Sequence, residues 1–169
     1  PSSFDCAKVG DNTVTLTVTD NNGNSSTTTA TVTISDVTKP VASAKNISVS
    51  LDASGTATIA ASDLDNGSSD ACGIASMSVS PSSFDCAKVG DNTVTLTVTD
   101  NNGNSSTATA TVTVNDVTKP VASAKNISVS LDASGAATIT AAQVDNGSSD
   151  ACGIASMSVS PSSFDCSKV

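Results

Sequence analysis

Residues 1–80 and 81–160 are two copies of one 80-residue string that differ at eight positions, and PSSFDCSKV (161–169) opens a third copy. Self-similarity at a fixed period constrains the fold before any local reading, because each repeat is a structural unit that buries its apolar face internally or against a neighbour. A period of 80 exceeds that of helical solenoids and suits one small β-domain per repeat. Copies this alike are not expected to hold a unique active site. The period divides the chain into the C-terminal part of one repeat (1–38), a complete repeat (39–118) and the N-terminal part of the next (119–169). Two arrangements complete the partial repeats: continuation of a longer chain, or head-to-tail strand donation between copies.

Within the complete repeat the apolar residues alternate. Ile47, Val49 and Leu51 share one face, as do Ala57, Ile59 and Ala61. The same holds for Ala75, Met77 and Val79, for Val94, Leu96 and Val98, and for Ala110, Val112 and Val114. Period-two alternation, with Asn, Asp, Gly and Ser turns between the runs, predicts a β-sandwich and no helix of any length. Lys39-Pro40 and Lys119-Pro120 punctuate the repeats as linkers, since the residue before proline is pushed towards extended backbone.

Composition narrows the function. The net charge is −9, with no histidine, tryptophan or tyrosine. A chain with no basic patch does not displace counterions from nucleic acid, and it is not drawn to an anionic membrane surface. No apolar run approaches the ~20 residues that span a bilayer. Without His, Arg or Glu, general acid–base catalysis has little to work with, and the chain is not expected to be an enzyme. Only Phe4, Phe84 and Phe164 supply aromatic bulk, so an 80-residue unit needs help from disulfides, metal ions or neighbour contacts.

Cys6, Cys72, Cys86, Cys152 and Cys166 are spaced 66, 14, 66 and 14 residues apart. The short spacing brackets IASMSVS and PSSF, which read as two strands around a Ser-Pro turn. That predicts disulfides Cys72–Cys86 and Cys152–Cys166, with Cys6 paired to a cysteine outside the chain. Closing such a loop stabilises by about 3 kcal/mol in the chain-entropy picture. Free buried thiols are the alternative, and zinc fits poorly with no histidine and two cysteines per unit. Disulfides imply an oxidising compartment outside the cytosol.

Taken in order, Asp36, Pro40, Val49, Leu51, Gly55, Ala57, Ile59, Asp65, Asn66, Gly67, Phe84, Val89, Gly90, Val94, Leu96, Val98, Asp100, Gly103, Asn104, Val112, Val114 and Asp116 resemble the hyalin repeat (HYR) pattern. The resemblance covers the whole repeat. It departs from that pattern in the placement of the cysteines and in carrying Leu96 where the family often has Tyr. It implies immunoglobulin-like sandwiches in tandem, forming an elongated filament or stalk, and a role in adhesion. Similar repeats fill giant cell-surface adhesins of Bacteroidota.

In such a sandwich the entering linker and two of the loops meet at one end. That places Asp36, the 63–73 loop and the 100–104 turn together at the junction with the preceding repeat. Hard divalent cations take oxygen ligands, calcium six to eight of them. The candidate calcium ligands are Asp36, Asp65, Asp70, Asp100 and Asn102, with Asp116, Asp145, Asp150 and Asp20 as their copies. Asp63 is the weakest, because its copy is Gln143. The bland account is that Asp and Asn are what β-turns use. Outward threonine rows, Thr93 to Thr99 and Thr109 to Thr113, suit an exposed sheet face. They also raise the alternative of direct binding to glycans, a surface or ice. The expectation is an extracellular, cell-surface spacer whose partners are neighbouring repeats, with calcium between them.

Overall fold

The computed structural model describes residues 3–168. In chain order the elements are β1 (Gly10–Thr19), β2 (Ser25–Ile34), β3 (Ile47–Ser50), β4 (Thr56–Thr58), α1 (Ala61–Leu64), β5 (Ile74–Ser80), β6 (Ser83–Asp85), β7 (Gly90–Asp100), β8 (Ser105–Asn115), β9 (Ala136–Thr138), α2 (Ala141–Val144) and β10 (Ser163–Asp165). The fold is all-β, as the alternation predicts. The helices are single turns inside the long polar loops, too short to leave a period in the sequence. Asp63 explains how α1 starts: its carboxylate accepts a hydrogen bond from the backbone N–H of Ala60 at 2.8 Å. Gln143 does the same for Thr140 in α2, also at 2.8 Å. The Asp-to-Gln exchange between the copies thus preserves a helix start.

β3, β8, β7 and β5 form a four-stranded sheet in that order, and β4 pairs with β6. β1–β2 and β9–β10 are two-stranded pairs. β5 runs antiparallel to β7, setting Met77 opposite Val98 and Val79 opposite Leu96. A register irregularity between Ile74 and Ser76 disturbs the strict alternation expected for β5, and Met77 is exposed. The threonine row of β7 is half-buried, because Thr95, Thr97 and Thr99 stand opposite Ser80, Ser78 and Ser76 of β5.

Residue contacts divide the chain into two compact units. One comprises Pro1–Ile47, Ile59–Ser82 and Thr93–Thr111; the other comprises Ser48–Thr58, Ser83–Asn92 and Val112–Val169. Each unit combines residues from two successive sequence repeats. In the first, Leu64, Val94, Leu96 and Val98 are fully buried, flanked by Ile59 and Ala110. In the second, Leu51, Phe84, Val112 and Val114 are buried. The 10-residue string GDNTVTLTVT occurs in both β1 and β7. In β7 its leucine, Leu96, is fully buried, whereas the equivalent Leu16 of β1 is 58% exposed.

The disulfides differ from the sequence expectation. Cys6 bonds Cys72 and Cys86 bonds Cys152, each pair 66 residues apart, with Cα–Cα distances of 5.2 and 5.1 Å. Cys72–Cys86 and Cys152–Cys166 do not form, and Cys6 finds its partner inside the chain. The physical reason is the sheet order. β5 and β6, expected as a hairpin that opposes Cys72 and Cys86, pair instead with β7 and β4, in separate sheets. Cys166 is exposed and unpaired among the described residues.

Candidate functional site

Each disulfide joins segments of two successive sequence repeats within one compact unit, Cys6–Cys72 in the first and Cys86–Cys152 in the second. Local capping positions the N-terminal cysteine of each pair. Asp5 accepts a hydrogen bond from the N–H of Ala7, and Asp85 from that of Ala87, at 3.1 and 3.0 Å. Each starts a single 3-10 turn whose first residue is the cysteine, Cys6 or Cys86. The partner cysteines follow a second kind of Asx turn. The N–H of Cys72 donates to Asp70 at 2.7 Å, and that of Cys152 to Asp150 at 2.8 Å.

Close approach in the second unit demands glycine. Gly55 has φ of +75°, and a Cβ there would lie 2.7 Å from the Cys86 sulfur and 3.2 Å from the Cβ of Ala151, next to Cys152. A residue of the 39–118 repeat is thereby pressed against Ala151 of the next repeat, beside the Cys86–Cys152 bond.

In the first unit three segments meet, as the sandwich reading expects. Asn104 donates from its side-chain amide to the carbonyl of Asp36 at 3.1 Å and to the carboxylate of Asp100 at 2.8 Å. Asn101 donates to the carbonyl of Cys72 at 2.8 Å, and the Ser106 hydroxyl donates to that of Pro40 at 2.6 Å. Asn101, Asn104 and Ser106 therefore hold the linker and the 63–73 loop in place. Sequence reading does not give these contacts, because their targets lie 29, 68 and 66 residues away.

Of the candidate ligands, two pairs come together. Asp36 and Asp70 have carboxylate oxygens within 4.8 Å of each other and of the Cys72 sulfur, and Asp116, Asp150 and Cys152 repeat the arrangement in the second unit. In every case one carboxylate oxygen is spent on an Asx turn: Asp36 accepts from the N–H of Thr38, and Asp116 from that of Thr118. The second oxygen of Asp36 and that of Asp150 are buried without a hydrogen-bond partner. Buried orphan oxygens call for a partner. Each sulfur is bound in a disulfide and carries no thiolate charge for a metal. Each unit thus brings two carboxylates together, against the six to eight oxygens that a calcium ion would need.

The remaining candidates stay within their own loops. Asp65 accepts from the N–H groups of Gly67 and Ser68, and Asp145 from those of Gly147 and Ser148. Asp20 holds Asn22 and Asn24 in the β1–β2 turn, while Asn102 contributes only a backbone N–H to Asp100. Asp100 is buried. Desolvation pushes its pKa up, but hydrogen bonds from the Asn104 side chain and from the N–H groups of Asn102, Asn104 and Gly103 outweigh it. The result lies below the ordinary carboxylate value. Asp20 lies lower chiefly through the Asn24 side chain, Asp65 through Ser68 and Asp145 through Ser148.

These shifts fix a pH dependence. A carboxylate held below its ordinary value of 3.8 in the folded state stabilises the fold fully above that value, and the contribution is lost as pH falls through the lowered one. The urea midpoint is expected to be level from neutral pH down to about pH 5 and to fall steeply below 3.8. A midpoint that rises on acidification would contradict it.

The second unit also carries an open cleft of about 350 Å³, lined by Pro120, Val121, Val144, Ile154 and Met157 among others. Its one ionisable lining group, Asp145, is the carboxylate that holds Ser148. In the complete repeat the equivalent Pro40 and Leu64 are buried, whereas Pro120 is exposed and Val144 half-buried. A scan against protein-family models finds no match to this chain, and comparison with curated proteins finds none either.

Proposed function

We propose that the chain is a structural spacer, a run of hyalin-repeat-like, immunoglobulin-like domains in the stalk of a large cell-surface adhesin or extracellular filament. One observation carries this reading: both disulfides cross from one repeat into the next, Cys6 to Cys72 and Cys86 to Cys152. Each bond ties a segment of one sequence repeat into the same compact unit as a segment of the next, so that successive repeats share a fold, as a continuous spacer would require. Disulfides also imply an oxidising compartment, and no helix among the described residues is long and apolar enough to cross a membrane. The polar junction of Asn101, Asn104 and Ser106 supports the same reading, since it fixes the linker at Asp36 and Pro40.

Calcium belongs to the proposal. It would sit at the Asp36–Asp70 and Asp116–Asp150 pairs, offset their like charges, meet the orphan oxygens and take its remaining ligands from water. A ligand present at about a hundred times its dissociation constant stabilises by about 2.7 kcal/mol. The melting midpoint should therefore be higher in millimolar calcium than in EGTA, and replacing all four of Asp36, Asp70, Asp116 and Asp150 with Asn should erase the difference. An unchanged midpoint removes calcium and leaves the spacer. The spacer itself is tested by small-angle scattering on arrays of increasing repeat number. The maximum dimension should grow by a constant step per repeat, and growth as the cube root of mass would overturn the reading.

A further inference from the structure

We propose that the two disulfides form a covalent tension path that bypasses most of the polypeptide and makes the oxidised chain nearly inextensible. The bonding pattern alone carries this. Cys6 is bonded forward to Cys72, and Cys86 is bonded forward to Cys152, each closing a loop of 66 residues. Between the two bonds only the 14 residues from Cys72 to Cys86 are in series. A pull applied on either side of Cys6 and Cys152 therefore runs through one disulfide, along β5 and β6, and through the other disulfide.

The consequence is mechanical. β1, β2, β3, β4 and α1 lie inside the first closed loop, and β7, β8, β9 and α2 inside the second. None of them can lengthen the chain when it gives way, because the bond that closes their loop takes the tension. The linker from Asp36 to Pro40 is inside the first loop too, so it does not carry the pull. At ~3.5 Å per residue the stretch from Cys6 to Cys152 reaches about 500 Å as an open chain, and about 60 Å through the two bonds, an eightfold difference. A chain of this kind transmits force with little extension even where its domains have unfolded. This follows from the connectivity and holds whether or not the chain is a spacer.

Single-molecule stretching tests it. The 169-residue chain, with Cys166→Ser to prevent exchange and handles attached at its ends without thiol chemistry, is pulled to full extension before and after reduction with a phosphine. Full extension reads which cysteines are bonded, and not how the domains pack. The expected result is a contour length about 450 Å greater after reduction. A difference under about 100 Å, zero included, overturns the proposal, because pairing Cys72 with Cys86 shortens the chain by only 14 residues. In that outcome the scattering test of the spacer still stands by itself.

Discussion

Replacing Cys72 with serine should destabilise the oxidised protein by about 4 kcal/mol in the chain-entropy picture, the cost of reopening a 66-residue loop. Cys6→Ser should cost the same, and the double variant no more than either single one, since both remove one bond. Cys86→Ser and Cys152→Ser should behave as a second such pair. Urea unfolding of the six variants under oxidising conditions measures all of this. The pattern also tests connectivity. If Cys72 paired with Cys86, Cys6→Ser would be silent, and Cys72→Ser with Cys86→Ser would form the non-additive pair. Under reducing conditions the differences should shrink to those of a buried or exposed thiol.

Leu96→Ala should cost roughly 2–5 kcal/mol, the range for deleting a buried leucine and leaving a cavity. Leu96 is fully buried in β7, which is flanked on both edges by β8 and β5. The chain supplies its own control. Leu16 occupies the same place in an identical 10-residue string, but it is 58% exposed in β1, which among the described residues pairs only with β2. Leu16→Ala should cost under about 1 kcal/mol. Thermal or urea unfolding of the two variants side by side decides the matter, and equal losses would show that β1 is as buried as β7 in solution.

That pair of leucines also marks how far sequence reading reaches. Alternation in β7 and β8 is legible, because a buried face recurs every second residue whatever lies next to the sheet. The degree of burial is not legible, because identical strings differ in the strands beside them. The cysteines misled for a related reason. A 14-residue spacing around a Ser-Pro turn looks like a closed hairpin, but β5 and β6 belong to different sheets, and strand partners are a long-range property. The junction was partly readable. The meeting of Asp36 with the 63–73 loop and the 100–104 turn follows from sandwich topology. The narrowing of nine candidate ligands to the Asp36–Asp70 and Asp116–Asp150 pairs does not, since Asp20, Asp65, Asp100 and Asp145 are held by N–H groups two to four residues away. Whether a carboxylate closes its own turn or faces another carboxylate depends on backbone angles that residue identity leaves open.

Pairing in consecutive order has a consequence for biogenesis. Cys6 is bonded to the next cysteine in the chain, Cys72, and Cys86 to the next, Cys152. A polypeptide that emerges from a translocation pore N-terminus first presents Cys72 while Cys86 is still inside. Of this sequence's own cysteines, the one already waiting outside is Cys6. Order of exit then selects the correct partner among near-identical repeats, where affinity cannot. An oxidase working at the pore should therefore build the right bonds without an isomerase, and refolding a fully denatured, reduced chain should give scrambled ones.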